Sequence, residues 1–196
     1  MKIGFDLDGC ILKLFPLLKQ ECIKLYKGKI KVGEKTTPEI KICLDNVFRQ
    51  PDKIPAYAGA IEFIQNYYQK TKKPIVFITS RDKKYSRVTK YWVQKYLNNI
   101  PFHIYYSEHK WGIINKLSLD IYIEDRVHLV TGIAMHTNCT LFVPRRKWNM
   151  DLQITQGTKN NKIKFFKTWK ALGEIYEKVT IKCERKNPKR ISSMAK

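Results

Sequence analysis

Acidic residues are scarce in this chain of 196 residues. It has 17 Asp and Glu against 38 Lys and Arg, which gives a formal net charge of +21 at pH 7. Such an imbalance favours solubility, nonspecific attraction to polyanions and fast capture of anionic ligands, but it carries no information about the fold. Any carboxylate that stands at a structurally special position is therefore a candidate for a chemical role.

Four further features are missing from the sequence. The five cysteines have no CxxC spacing, so neither a zinc site nor a disulfide framework is indicated. No apolar run approaches the roughly 20 residues of a membrane-spanning helix, and Asp6 follows the first apolar residues too soon for a signal peptide. No internal repeat is evident. We expect a soluble cytoplasmic protein without membrane contacts, in a reducing compartment.

Short apolar runs alternate with longer segments of helical period, and hydrophobic residues make up 43% of the chain. This alternation is typical of an α/β protein and predicts a Rossmann-like parallel sheet of about five strands with flanking helices. The five predicted strands are residues 2–7, 74–79, 102–106, 120–123 and 140–143. The predicted flanking helices are residues 59–70, 85–97, 110–117 and 165–179.

A long excursion follows the first predicted strand. Residues 12–26 and 37–48 have helical periodicity, and the second segment begins behind a Thr-Thr-Pro start signal. We therefore expect residues 11–54 to form a small helical cap. Residues 1–10 and 55–181 would form the catalytic core, and residues 182–196 a basic, flexible tail.

Polar residues end each of the first four apolar runs. In an open parallel sheet, ligands bind at the carboxyl ends of the strands, so these residues are predicted to converge on one rim. A strand-terminal Asp that merely caps a turn would explain any one of them but not the whole set. The four groups are Asp6-Leu7-Asp8-Gly9, Thr79-Ser80-Arg81, Ser107-Glu108-His109-Lys110 and Glu124-Asp125-Arg126.

These groups, in this order, resemble the four motifs of the haloacid dehalogenase-like phosphohydrolases. The resemblance covers about residues 1–150, and the helical insertion is similar to a C1-type cap. The segments ITSR with TKYW, IYIEDR and VPRRKWN look most like the 5'-nucleotidase and 5'(3')-deoxyribonucleotidase branch. Cys10 departs from the pattern, because the family usually has Thr at that position.

The resemblance implies a role for each rim residue. Asp6 would be the nucleophile that forms an aspartyl-phosphate, and Asp8 the general acid and base. Mg²⁺, which prefers oxygen ligands, would be held by Asp6, the backbone carbonyl of Asp8 and the Glu124/Asp125 pair. Which member of that pair binds directly stays open.

The phosphate would lie against a second group of residues: Gly9, Thr79, Ser80 and Lys110. Lys116 is the alternative cation, but it stands almost two helical turns beyond the predicted rim. Arg81 and Arg126 either bind substrate or pair with a nearby carboxylate. His109 either contributes to the rim or caps a helix, and Tyr26, Phe48 and Trp148 either stack on a base or pack.

Three functions fit the sequence. The first is a Mg²⁺-dependent phosphatase of nucleoside or deoxynucleoside monophosphates. The second is the same site acting on phosphorylated nucleic-acid ends, for which the basic surface and tail would supply the attraction. The third is a basic nucleic-acid-binding protein on an inactive hydrolase fold, which the intact motif set disfavours. The oligomeric state is open.

Overall fold

The computed structural model describes residues 1–30, 32, 37–150 and 163–186, with side chains through residue 180. Its centre is a six-stranded sheet with the order β3-β2-β1-β4-β5-β6, in which every neighbouring pair is parallel. The predicted α/β, Rossmann-like class is confirmed, with one strand more than expected. The strands are β1 (Ile3–Phe5), β2 (Ile75–Thr79), β3 (Phe102–Tyr106), β4 (Ile121–Ile123), β5 (Thr140–Pro144) and β6 (Ile163–Phe166).

Seven α-helices connect and cover these strands in the described part of the chain. Thr37 begins the second helix as predicted, because its hydroxyl oxygen accepts a hydrogen bond from the Ile40 amide at 3.4 Å and Pro38 occupies the first turn. The helices are α1 (Leu14–Tyr26), α2 (Pro38–Phe48), α3 (Ala60–Thr71), α4 (Ser86–Leu97), α5 (Lys110–Lys116), α6 (Val127–His136) and α7 (Trp169–Lys186).

The sixth strand corrects the sequence prediction. Phe165 and Phe166 were expected to begin the last helix, but they form the end of β6, and α7 starts at Trp169. Four residues are too few to show the alternation of a strand. The apolar residues of β6 also fit the helical spacing of the segment that follows, so the sequence predicts a helix there. Pairing with β5, in which Leu141 lies opposite Ile163, provides the partner that the local sequence does not reveal.

Two other regions differ from the expectation. Helix α6 was not predicted, because its sequence VHLVTGIAMH is rich in β-branched residues and contains a glycine, both weak helix formers. Burial of Leu129, Val130 and Ile133 against the sheet outweighs this local preference. Helix α7 continues through Lys186, so residues 182–186 of the expected tail are helical, and residues 187–196 lie outside the described residues.

The core lies on both faces of the sheet. On one face, Phe5, Phe77 and Phe142 pack in a cluster with residues of α3, α4 and α7. On the other face, Val76, Ile78 and Leu141 pack in a cluster with residues of α5 and α6. Strands β1, β2 and β4 are buried along their whole length, as expected for a parallel sheet that is covered on both faces. The turns that follow these three strands therefore begin at buried, hydrogen-bonded strand residues.

Helices α1 and α2 lie between β1 and α3 in the chain and pack against each other through Leu18, Cys22, Ile40 and Cys43. They also contact the residues after β2. The Asp45 carboxylate accepts hydrogen bonds from the Tyr85 hydroxyl and, at 2.9 Å, from the Lys84 ammonium. The ring of Phe48 lies 4.6 Å from that of Tyr85. None of the described helices is long and apolar enough to cross a membrane.

Candidate active site

The carboxyl ends of β1, β2 and β4 bring the predicted rim residues together. At the end of β1, the Asp6 amide donates a hydrogen bond to the Ile123 carbonyl at 2.9 Å. This bond fixes Asp6 beside the end of β4. Five polar side chains are buried here with 3% exposure or less: Asp6, Thr79, Lys110, Glu124 and Asp125. Buried ionisable groups must be paired or bind an ion, so this cluster is a candidate for chemistry.

Lys110 provides the positive charge of the cluster. Its Nζ lies 2.5 Å from Asp6 Oδ1 and 2.8 Å from Glu124 Oε2, and its side chain is almost completely buried. Burial opposes the charged form, but the two carboxylates outweigh it and hold the pKa of Lys110 above its ordinary value. Lys116, the alternative in the sequence, is exposed at the other end of α5.

Glu124 and Asp125, expected as alternative metal ligands, have different environments. Glu124 Oε1 accepts from the backbone amides of Asp125 and Arg126, each at 3.1 Å, while Oε2 accepts from Lys110. Both oxygens of Glu124 are therefore occupied by protein donors. Asp125 Oδ2 accepts from Trp148 Nε1 at 2.9 Å, while Oδ1 faces the Cys10 thiol at 3.8 Å.

The turn after Asp8 approaches Asp125 closely. Gly9 has φ of +82°, and a Cβ placed on it would lie 2.1 Å from Asp125 Oδ2. Only glycine satisfies both the left-handed backbone and this contact. The Gly9 carbonyl accepts from Arg146 Nε at 2.9 Å, and the Arg146 guanidinium lies 3.8 Å from the centre of the Tyr57 ring.

One ligand atom each from Asp6, Cys10 and Asp125 lies within 4.8 Å of the others. Burial raises the pKa of Asp6 to about 7, although Lys110 opposes the rise. Burial, followed by the charges of Glu124 and Asp6, raises the pKa of Asp125 well above its ordinary value. The one positive charge of Lys110 does not balance the negative charges that the buried carboxylates would carry. A divalent cation beside Asp6 and Asp125 would supply the missing positive charge.

Asp8 forms a separate ion pair at the edge of this cluster. Arg81 donates to both of its oxygens, from Nε at 2.7 Å and from Nη2 at 2.6 Å. Arg81 Nη1 also donates to Thr89 at 3.0 Å, and the guanidinium lies 4.3 Å from the centre of the Phe48 ring. Of the two interpretations of Arg81, the structure shows the carboxylate pair.

The end of β2 offers two hydroxyl groups. Thr79 Oγ1 accepts from the Arg81 amide at 3.2 Å, which orders the turn after the strand. Ser80 Oγ is buried and has no hydrogen-bond partner among the described residues. Buried hydroxyls are normally partnered, so an unpartnered one beside a cavity indicates a place for a bound group.

A cavity of about 1110 Å³ opens over these residues. Helices α1 and α2 and the segment between them contribute an apolar wall, and basic side chains, including Arg126, also line the cavity. The wall residues are Leu14, Phe15, Leu18, Val32, Ile40, Leu44 and Phe48. The basic lining residues are Lys41, Arg81, Lys83, Lys84, Lys110 and Arg126, with His109 and His128 beside them.

The other sequence candidates have the following positions. Tyr26 packs on the α1–α2 cluster and does not line the cavity, whereas Phe48 and Trp148 do. Trp148 stacks on Phe15 with ring centres 4.8 Å apart. His109 lines the cavity and precedes α5 without a side-chain cap, its ring 4.9 Å from Trp111.

The sequence pattern does not reveal several residues that hold the site in place. Asn149, which is 1% exposed, donates to the carbonyls of Asp125 and Pro144, both at 2.9 Å, and ties the segment after β5 to the rim. Arg146 holds the Gly9 carbonyl and Thr89 holds Arg81. The segment VPRRKWN is recognisable in the sequence, but only the folded turn shows which of its side chains reach the site.

Solved structures of haloacid dehalogenase-like hydrolases have the same fold at low sequence identity. A predicted phosphoglycolate phosphatase from Haemophilus somnus is 15% identical with a TM-score of 0.59, over 89% of this chain and 97% of that one. A haloacid dehalogenase-like family hydrolase from Xanthomonas campestris is 9% identical, also with a TM-score of 0.59, over 93% and 97%. The D,D-heptose 1,7-bisphosphate phosphatase from Burkholderia thailandensis is 10% identical with a TM-score of 0.54, over 89% and 96%.

No family profile and no curated protein matches the chain. The solved structures show that the fold is similar to that of haloacid dehalogenase-like hydrolases. Similarity at 9–15% identity establishes the fold alone. The activity has to be argued from the residues of the rim.

Proposed function

We propose that this protein is a Mg²⁺-dependent phosphatase of nucleoside or deoxynucleoside monophosphates that works through an aspartyl-phosphate. The observation that carries the proposal is the convergence of Asp6, Lys110 and Asp125 at the carboxyl end of a parallel sheet, with Asp8 two residues beyond Asp6. The phosphatases with the same fold support the reaction class.

Asp6 is the nucleophile in this mechanism. One carboxylate oxygen attacks phosphorus, the bond from phosphorus to the ester oxygen breaks, and the phosphoryl group is carried on Asp6. Lys110 holds Asp6 Oδ1 at 2.5 Å and so fixes the direction of the carboxylate while favouring its ionised form. Glu124 anchors Lys110 from the opposite side.

Asp8 transfers the protons. It gives a proton to the departing ester oxygen and then takes one from the water that attacks the aspartyl-phosphate. Water attack at phosphorus regenerates the Asp6 carboxylate and releases inorganic phosphate. Arg81 donates to both Asp8 oxygens and holds the ionised carboxylate in one orientation, so Asp8 must release one of these bonds when it carries the proton.

Asp6, Asp125 and the backbone carbonyl of Asp8 would hold Mg²⁺. When bound, the ion would neutralise the carboxylates and the phosphate that approaches them. Asp125 is favoured over Glu124 as the direct ligand, because both oxygens of Glu124 are taken by protein donors. Trp148 and the narrow space beside Gly9 fix the Asp125 carboxylate.

Neutral donors around the phosphate complete the site. Thr79 and the unpartnered hydroxyl of Ser80 lie beside the cavity at the end of β2, and the Ser80 amide belongs to the same turn. Gly9 allows the backbone to approach the phosphate closely. Arg126 lines the cavity and is available for an anionic part of the substrate.

The cavity supports a nucleotide as the substrate. Its volume of about 1110 Å³ exceeds the need of a phosphate alone, and the apolar wall of the cap, with Phe15 and Leu44, suits a planar base. A screen of nucleoside monophosphates, deoxynucleoside monophosphates and sugar phosphates, with Mg²⁺ and with EDTA, tests the proposal. We expect Mg²⁺-dependent phosphate release that is fastest from a nucleotide. A faster sugar phosphate would refute the substrate class, and full activity in EDTA would refute the metal requirement.

A phosphorylated nucleic-acid end is the second candidate, favoured by the net charge of +21 and by the basic groups around the cavity. Deletion of residues 187–196 tests it. If the second candidate holds, the deletion weakens binding of an end-phosphorylated oligonucleotide and flattens its salt dependence, while mononucleotide hydrolysis is spared. Unchanged binding and salt dependence would favour the mononucleotide.

A further inference from the structure

The thiol of Cys10 is the feature of the site that the proposed mechanism does not use. Cys10 is fully buried directly after the Asp6-Leu7-Asp8-Gly9 turn, and its Sγ lies 3.8 Å from Asp125 Oδ1. A buried cysteine is normally inert as a nucleophile, but two carboxylates lie beside this one, so sulfur and oxygen ligands are placed together. A sulfur ligand at this place changes which metal ions the site can hold.

The spacing of the donors fits a metal with mixed oxygen and sulfur ligands. Zn²⁺ binds sulfur at about 2.3 Å and carboxylate oxygen at about 2.1 Å, so tetrahedral ligands of these kinds lie about 3.6 Å apart. The Cys10–Asp125 separation of 3.8 Å is close to this value, and Asp6 supplies a third donor within 4.8 Å. Three protein ligands with a fourth position open to water or substrate are typical of catalytic zinc sites.

The surroundings fix two of the three donors. Trp148 Nε1 holds Asp125 Oδ2, which leaves Oδ1 on the side of Cys10, and Lys110 holds Asp6 Oδ1, which leaves Oδ2 without this ammonium. Binding at Cys10 would therefore require no rearrangement of either hydrogen bond.

We propose that Cys10 makes this centre a site for thiophilic divalent cations, Zn²⁺ foremost, which bind through Cys10, Asp6 and Asp125 and compete with Mg²⁺. On binding, the thiol gives its proton to the solvent and the thiolate sulfur donates an electron pair to the cation, so no redox change is involved. Mg²⁺ would continue to use the oxygen ligands, because it has little affinity for sulfur. The proposal rests on the same Asp6–Asp125 centre as the proposed function, but its test does not depend on turnover.

The test is a titration of the full-length protein with Cd²⁺, a soft cation whose bond to a thiolate gives an ultraviolet charge-transfer band. We expect a band that saturates at one equivalent, disappears on addition of Zn²⁺ and is lost in Cys10→Ser. Cys43→Ser is the matched control, since Cys43 is equally buried but lies in the α1–α2 cluster, and it should retain the band. A band of equal size and affinity in Cys10→Ser would overturn the proposal.

A second variant and a second measurement keep the proposal testable if Cys10→Ser does not fold. In the Mg²⁺-supported reaction, Zn²⁺ should inhibit Cys10→Thr only at concentrations on the order of tenfold higher than the native protein, a loss typical of a weakened metal site. Equal inhibition of both would overturn the proposal. A Cys10-dependent band in a protein that hydrolyses no nucleotide would support the cation site while refuting the proposed function. Hydrolysis without the band would do the reverse.

Discussion

Arg81 donates two parallel hydrogen bonds to the carboxylate of Asp8, of 2.7 Å from Nε and 2.6 Å from Nη2, while its guanidinium lies 4.3 Å from the centre of the Phe48 ring in helix α2. One side chain thus contacts the residue proposed as the proton donor and the helix that covers the cavity. Two parallel hydrogen bonds to one carboxylate require the planar guanidinium group with its two neighbouring N–H donors, which lysine lacks.

Replacement of Arg81 by lysine should therefore lower kcat more than it raises KM. General acid and base catalysis contributes about 100-fold to 10,000-fold, and loss of the orientation of Asp8 should remove on the order of tenfold or more of it. Steady-state kinetics over a range of pH would show the loss and a changed profile. Arg87→Lys, at an exposed position on helix α4, should have neither effect. A normal kcat in Arg81→Lys would show that the ion pair is not needed for catalysis.

Lys110→Met should destabilise the protein as well as inactivate it. The substitution leaves Asp6 and Glu124 buried without their cation, and breaking a buried ion pair costs about 3–5 kcal/mol in the free energy of unfolding. Urea unfolding in EDTA measures this change. Lys116→Met, at the exposed end of the same helix, should shift the free energy by no more than about 0.5 kcal/mol. Equal stability of the two variants would contradict the account of Lys110.

The stability of the metal-free protein should decrease as the pH rises. Asp6 has a pKa of about 7 in the fold and about 3.9 in an unfolded chain, so the folded state binds the proton more tightly. The associated stabilisation is complete below about pH 4 and is lost as the pH rises through about 7, and Asp125 acts in the same direction.

Urea midpoints measured in EDTA at pH 5 and pH 8 would test this dependence. We expect the lower midpoint at pH 8, a smaller difference in Asp6→Asn, and recovery at pH 8 on addition of Mg²⁺, which binds only the folded site. A difference between the two pH values that is the same in native protein and Asp6→Asn would show that Asp6 does not cause it.

Trp148→Phe should weaken Mg²⁺ binding without unfolding helix α1. The substitution removes the indole N–H that holds Asp125 Oδ2 but keeps an aromatic ring against Phe15. Loss of such a supporting hydrogen bond lowers metal affinity about 10-fold to 100-fold. Calorimetric titration with Mg²⁺ gives the affinity. Trp92→Phe is the control, since it removes a similar indole bond, to the Ile54 carbonyl, away from the site.

The rim residues could be located from the sequence because each follows an apolar strand, and parallel topology places all such ends on one edge. Helix α6 and strand β6 could not be located, because their formation depends on tertiary burial and on pairing with β5. The contacts of Trp148 and Arg146 were equally inaccessible, since each depends on the direction of a side chain across a turn, and for Arg81 the sequence left a carboxylate pair and a substrate contact as alternatives. The different environments of Glu124 and Asp125 also required the backbone, because two amide donors set the orientation of Glu124.

The central claim is that Asp6 carries the phosphoryl group, and chemical trapping tests it most directly. A nucleoside monophosphate with radiolabelled phosphate is mixed with the protein and Mg²⁺, the reaction is stopped with acid, and the labelled peptide is identified by mass spectrometry. The account predicts a label on Asp6 that hydroxylamine removes, as expected of an acyl phosphate, and that is absent in Asp6→Asn. Steady turnover with no label on Asp6, or with the label on another residue, would contradict it.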